Sequence, residues 1–352
     1  MEMRMRSSIS NSELRRPDMN YARLWLLAAV MTLAILGSCD VLIRMYGVTP
    51  SLVDDMKLWE YTRDGMLTGT ASANQVIFIG TSRANLGIDP GIFEKETGCD
   101  VLKLGIAGSE AWPLLRDIAE NTDFRGTIFY DFRADACSRN DIAQITEKYI
   151  REYYKNYSNL GKYDKILNEK IAIFFQSSLA IVDIAPENLN RIFLPEKARA
   201  DNYVVIGKDR ATKAYYRTKL TAKGIAKNRK KRIREAREAC AGKCHDDSMW
   251  QCRIREIGKW VKLVQDRGGR VVLVRFPTSG EHWELDSAAY PREKYWNKIA
   301  GLTGAVTIHF KDIQGFESVD CPDTSHLNYD DAEKFTEYLA KWYDINIGVK
   351  RK

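Results

Sequence analysis

The strongest constraint on this chain's fold is a series of short, nearly pure apolar runs separated by helix-like stretches. Val76–Ile79 (VIFI), Val101–Leu104 (VLKL), Thr127–Tyr130 (TIFY), Val271–Phe276 (VVLVRF) and Val306–Phe310 (VTIHF) are each too short for a helix and too apolar for a strand with one wet face. Between them lie helical segments at Pro90–Thr97 and Trp112–Asn121. Ile254, Ile257, Val261 and Val264 recur at helical spacing, Gly268 and Gly269 end that helix, and VVLV follows at once. The last helix, Tyr329–Trp342, sets Ala332, Phe335, Leu339 and Trp342 on one face and Asp330 and Asp331 in its first turn, where they suit the helix dipole. Alternation of this kind predicts an α/β fold: a central parallel sheet wrapped by helices on both faces.

The alternation stops between Asp141 and Met249, a stretch rich in Lys, Tyr, Asn and Arg that reads as a helical insertion, 141–249, in a domain of 73–345. Within it, Lys227–Arg237 holds seven basic residues and one acid, Glu235. Such a run is either a solvated helix face or a surface for an anionic polysaccharide, lipid headgroups or a partner protein. Over the whole chain 54 basic residues against 47 acidic leave +7, spread too thinly over 352 residues to argue for nucleic acid.

The N-terminus has its own logic. Residues 1–20 form a basic tail, and Leu24–Cys39 then runs for 16 residues without a charge. That is just under the roughly 17–25 residues a spanning helix needs, and Tyr21, Ala22 and the patch Val41–Ile43 extend it. A single anchor over 21–46 is expected, followed by a linker, 47–72, with a short helix; residues 346–352 form a second basic tail. Arginines before the anchor and the acidic SLVDDMKLWE after it place the bulk of the chain outside the cytoplasm. A lipoprotein signal ending at Cys39 and a cleaved leader are the alternatives, and both give the same side. The other six cysteines, Cys99, Cys137, Cys240, Cys244, Cys252 and Cys321, are expected to form disulfides in that compartment. His245 beside Cys244 matches no common zinc spacing.

Ser82 stands two residues after Gly80 ends the first apolar run, where a parallel strand leaves its sheet and α/β folds place ligands and nucleophiles. Capping of the next helix by Thr81 and Ser82 is the plainer alternative. Of the four histidines, His245 lies in the cysteine cluster, His282 follows FPTSGE, and His309 is inside a strand. His326 sits in DTSHL, three residues after Asp323 and just before the final helix. An Asp-x-x-His turn lets the carboxylate hold one ring nitrogen while the other faces a serine.

GTSRANLGIDP, LGIAGSEAW (Leu104–Trp112) and DTSHL resemble the first, second and terminal blocks of the SGNH (GDSL-type) hydrolase superfamily. The nearest likeness is to its membrane-anchored members associated with polysaccharide modification, the alginate O-acetyltransferase-like group. This resemblance implies a flavodoxin-like three-layer α/β/α fold with Ser82 as nucleophile, His326 as base and Asp323 as its orienter. It also implies an oxyanion hole from the backbone N–H groups of Ser82 and Gly108, and no metal or organic cofactor. Arg83 is expected either to bind a substrate carboxylate or to pair with an acid near the sheet edge. The loop Arg275–Gly280, with Thr278, is expected at the pocket mouth.

The chain departs from the family pattern at two places. Thr81 stands where an aspartate is common, and after the third strand YDFRADACSRND offers Asp131 and Arg133, expected as substrate-binding residues, where an oxyanion-binding asparagine belongs; Asn140 comes too late. The function expected is an extracytoplasmic O-acyltransferase acting on a polysaccharide or glycan through a Ser82 acyl-enzyme, with a membrane-bound acyl-donor protein as partner. An acetylesterase of the same fold and a non-catalytic scaffold in a glycan assembly complex are the alternatives.

Overall fold

Residues 20–45, 47–139, 141–157, 161–183, 203–240 and 247–348 are described by a computed structural model. They begin with α1 (Tyr21–Met45), a single helix long and apolar enough to cross a membrane, with most of its large side chains facing away from protein. At about 1.5 Å per residue its 25 residues reach past the roughly 30 Å hydrocarbon layer. Next comes α2 (Met56–Asp64), which Asp55 caps by accepting from Lys57 and Leu58 N–H. Its Trp59 is fully buried and donates through Nε1 to Leu104 O at 3.0 Å, and its Arg63 makes a buried ion pair with Asp117. The expected linker therefore contributes a helix to the core.

The apolar runs become strands. In order, β1 (Gln75–Ile79) is followed by α3 (Ser82–Gly87), α4 (Pro90–Thr97), β2 (Asp100–Lys103), α5 (Trp112–Asn121), β3 (Thr127–Asp131) and α6 (Ala134–Cys137). The stretch 141–249 carries α7 (Gln144–Tyr157), α8 (Lys162–Ser178), a hairpin of β4 (Val204–Ile206) and β5 (Thr212–Ala214), α9 (Tyr216–Lys219) and α10 (Ala222–Cys240). The expectation of a purely helical insertion thus misses an antiparallel hairpin, which pairs with the linker through Leu52 N–H to Ile206 O. Then come α11 (Asp247–Asp266), β6 (Arg270–Arg275), α12 (Gly280–Ala289), α13 (Trp296–Thr303), β7 (Val306–His309) and α14 (Tyr329–Asn346).

The sheet is all parallel, in the order β2-β1-β3-β6-β7. Period-two alternation divides its side chains between two cores. Ile77, Ile79, Ile128, Tyr130 and Leu273 pack on α5 and α11, while Val76, Phe78, Phe129, Val272 and Val274 pack on α4 and α14. Because every strand runs the same way, the turn after β1, the loop Leu104–Ser109, the Phe132–Arg133 link and the segment after β6 gather at one end, where ligands bind in open α/β sheets.

Burial explains the cysteines. Cys137 lies in the core on one face of the sheet and Cys99 and Cys321 in the core on the other; these three and the exposed Cys252 carry free thiols, against the expectation of disulfides among them. Cys244 lies outside the described residues.

Candidate active site

The turn after β1 is shaped by close approach. A Cβ on Gly80 would fall 2.4 Å from Asp131 Cβ and 2.8 Å from Ala84 Cβ, so only glycine lets α3 start so near β3. Thr81 caps α3, its hydroxyl oxygen accepting from Arg83 N–H at 3.1 Å, and both Thr81 N–H and Thr81 Oγ1 donate to Asp131 Oδ2, at 3.2 and 2.7 Å. Ser82 is therefore the first residue of α3, half-buried among buried neighbours. The capping role that the sequence left open falls to Thr81. Asp131 is wholly buried and holds this turn through Thr81.

Ser82 Oγ lies 2.8 Å from His326 Nε2, and His326 Nδ1 lies 2.7 Å from Asp323 Oδ2. The Asp-x-x-His turn is closed by Asp323 Oδ1, which accepts from Ser325 N–H at 3.0 Å and His326 N–H at 2.8 Å. Thr324, inside the turn, has φ +74°, a left-handed conformation uncommon for a β-branched residue. Its backbone is pinned by Thr324 N–H to Cys321 O and Ser279 N–H to Thr324 O. Burial alone raises the Asp323 carboxyl, but the His326 ring, the Ser325 N–H and Arg232 outweigh it and hold the group well below the usual carboxylate range. An ionised Asp323 can only accept, so His326 carries its proton on Nδ1 and presents the Nε2 lone pair to the serine.

Two residues of the insertion complete this relay, and the sequence reading named neither as a site residue. Tyr216 OH donates to Asp323 Oδ2 at 3.0 Å, and Arg232 Nε lies 3.5 Å from the same oxygen. Burial, then the Asp323 charge, push the Tyr216 phenol far above its ordinary value, so it stays a donor. Arg229 donates to Pro322 O and Arg237 pairs with Glu281, so one side of the basic run is turned onto the histidine loop and α12. Lys227, Lys230, Lys231 and Arg234 remain on the solvated side. With Tyr216→Phe, Asp323 loses a buried donor worth about 1 kcal/mol, and Ser82 labelling is expected to slow about fivefold, whereas a packing role alone leaves the rate per folded molecule in place.

Gly108, the glycine expected to offer an oxyanion N–H, has φ +75° and is exposed, the freedom a tight turn requires. Among the described residues none accepts from the N–H of Ser82 or of Gly108. The loop between β2 and Gly108 is fixed from two sides. Asn85 Nδ2 donates to Gly105 O at 3.2 Å, with its amide so close that a Cβ on Gly105 would meet Asn85 Oδ1 at 2.3 Å. Arg210, from the hairpin, donates to Lys103 O at 2.7 Å and Gly105 O at 2.8 Å.

Arg83 is buried and committed: Nε donates to Ser325 Oγ at 3.2 Å and Nη2 to His282 Nε2 at 2.9 Å. These bonds, to a hydroxyl and an imidazole, tie α3 to the histidine loop. Burial first, then Arg275 and Arg133, bring it down to about 10, still cationic near neutrality, and burial, then Arg83, Arg275 and Arg133, take His282 to about 2, neutral and able to accept. Arg133 is a quarter exposed, bonded to Asp135 and 3.3 Å from Glu110. Thr278 is 1% exposed and accepts from Arg275 at 3.4 Å, which supports the loop after β6. A cavity of about 390 Å3 lies at this end of the sheet, walled by Phe132, Arg275, Trp283, Tyr290, Trp296 and His309.

Glu110, fully buried, is raised to about 8 from its ordinary 4.5, chiefly by burial and against the pull of Arg133. Folded protein keeps this proton over a range where the unfolded chain has released it. Stability from this group is therefore full below pH 4.5 and is lost as pH rises through about 8. Urea midpoints measured across that window are expected to fall with pH, and Glu110→Gln to flatten the fall.

Comparison with protein-family models, with curated proteins and with solved structures gives no match.

Proposed function

We propose that this chain is a membrane-anchored, SGNH-like serine acyl-transferring enzyme that moves an acyl group onto a hydroxyl of an extracytoplasmic glycan. The observation that carries the reading is the continuous line Ser82 Oγ, His326 ring, Asp323 carboxylate at 2.8 and 2.7 Å. In it, Ser82 Oγ attacks an acyl carbonyl as His326 Nε2 takes the hydroxyl proton. The oxyanion sits on the Ser82 and Gly108 N–H groups, and the leaving alcohol departs with the proton. A glycan hydroxyl then gives its proton to His326 and takes the acyl group, restoring Ser82. The strand order, 2-1-3-4-5 counted within the sheet, supports a flavodoxin-like arrangement of the kind the SGNH resemblance implies. So does the place of all three residues at the carboxyl ends of the strands.

The test is to expose the full chain, in detergent or nanodiscs, to a fluorophosphonate probe and locate the label by mass spectrometry. Label on Ser82 is expected. Folded chain that takes no label there overturns the reading, and a scaffold role in glycan assembly replaces it. Once labelling is established, release of acetate from an acetyl ester in the presence and absence of glycan separates transfer from hydrolysis.

A further inference from the structure

Helix α8 is built the wrong way round for a helix in water. None of its residues is buried, and its largest apolar side chains are among its most exposed: Tyr163 71%, Leu167 58%, Ile171 46%, Phe174 63% and Phe175 46%. Leu167, Ile171 and Phe174 recur at helical spacing on one outward stripe. The opposite side, toward α2 and α7, mixes Ile166 and Ile173 with half-buried Lys165, Glu169 and Gln176.

What covers the stripe is indicated by where α8 ends. At the last turn of α1, Arg44 donates to Ser178 O, the final residue of α8, and pairs with Asp40 at 2.6 Å. Asp40 in turn accepts from Ile181 N–H at 3.1 Å, just beyond α8. Asp40 and Ile43 are buried in this junction, whereas most of the preceding large apolar residues of α1 are exposed. The C-terminal ends of α1 and α8 are thus at one level, the level at which the apolar run of α1 stops.

We infer that α8 is a second membrane contact, its Leu167–Phe175 stripe resting in the interfacial layer of the bilayer on the side of the folded domain. This rests on reading α1 as a membrane anchor. Phe174 and Phe175 lie within one turn of Ser178, about 6 Å along the axis at 1.5 Å per residue. The headgroup layer is about 5–8 Å deep on each side, so both rings lie within about one layer depth of the level at which the apolar run of α1 stops. Apolar side chains on one face of a helix at this depth, with exposed Lys170 beside them, have the composition of an in-plane amphipathic contact. Two contacts, one spanning and one lying flat, fix the orientation of a domain that a single helix leaves free to rotate. They hold the carboxyl end of the sheet at a set height above the lipid.

The test uses the full chain in vesicles of phosphatidylcholine and phosphatidylglycerol containing a phosphatidylcholine with a photoactivatable diazirine acyl chain. After illumination, lipid adducts are mapped by mass spectrometry. Adducts on both α1 and the Ile171–Phe175 segment are expected. Changing Ile171→Asp together with Phe174→Asp should lower the α8 adducts about tenfold and leave those on α1 unchanged; both positions are exposed, and Ser82 labelling reports that the variant is folded. Adducts on α1 alone overturn the proposal and leave the anchor standing. Adducts on neither helix overturn the anchor and the proposal together. The α8 adducts staying unchanged in the double variant also overturn the proposal.

Discussion

Asp323→Asn is expected to slow fluorophosphonate labelling of Ser82 by about ten-thousandfold, and Ser82→Ala and His326→Ala to abolish it. The reason lies in how the two carboxylate oxygens are used. Oδ1 accepts from the N–H groups of Ser325 and His326, so an asparagine there must keep its carbonyl oxygen on that side to avoid setting an amide against two donors. Its NH2 then takes the place of Oδ2, facing His326 Nδ1, Tyr216 OH and Arg232 Nε. An NH2 donates to Nδ1 and forces the ring proton onto Nε2, which lies 2.8 Å from Ser82 Oγ and is then a donor where a base is required. The ring stays in place and the geometry is nearly unchanged, so the loss is one of tautomer. Labelling within tenfold of the parent chain, with the variant's circular dichroism and melting unaltered, would sink this account of the relay. The three substitutions should not add: a double change at Ser82 and Asp323 is expected to be no worse than Ser82→Ala alone.

How far the sequence carries the site can be read from these same residues. Ser82, Asp323 and His326 are legible because each depends on local pattern: a glycine-ended apolar run, and a carboxylate one turn before an imidazole. The strands are legible for a related reason, since strands covered on both faces become unbroken apolar runs. Tyr216 and Arg232 are not legible, because they meet Asp323 across about a hundred residues and nothing near them in the chain marks a partner. A run of seven basic residues looks the same whether its arginines face water or a loop, and here they face both. Trp59 was hidden by its surroundings: a short helix in a stretch that reads as a linker gives no sign that its indole reaches the β2 end. The cysteines show the converse error, since an even number suggests pairing while burial as small apolar groups explains Cys99, Cys137 and Cys321 better. That Asp131 holds the Thr81 turn was not legible either, because sequence position at a strand end does not say whether a side chain points up into a cleft or across to a neighbouring turn.

Arg210→Met is expected to lower stability by about 2–4 kcal/mol and to slow Ser82 acylation in the fraction that remains folded. The guanidinium is 3% exposed and spends its donors on Lys103 O, Gly105 O and Asp54, a fork-shaped use that one ammonium cannot reproduce, so Arg210→Lys should recover only part of the loss. Asp54 keeps access to water and can be resolvated, and Gly105 O keeps Asn85 Nδ2, so most of the cost falls on Lys103 O. Lys103 O and Gly105 O belong to the end of β2 and the start of the loop that carries Gly108, which makes Arg210 the point where the hairpin of the insertion grips that loop. Its own backbone shows what that grip costs: Asp209 and Arg210 both have φ +56°, a conformation neither favours, and the three bonds of Arg210 hold the turn in it. The checks are the urea midpoint and, well below that midpoint, the labelling rate per folded molecule. A midpoint that moves while the rate stays fixed makes Arg210 a fold residue only. A fall in both joins the insertion to catalysis from a second direction, with Tyr216 and Arg232 acting on the acid and base side and Arg210 on the side where negative charge develops.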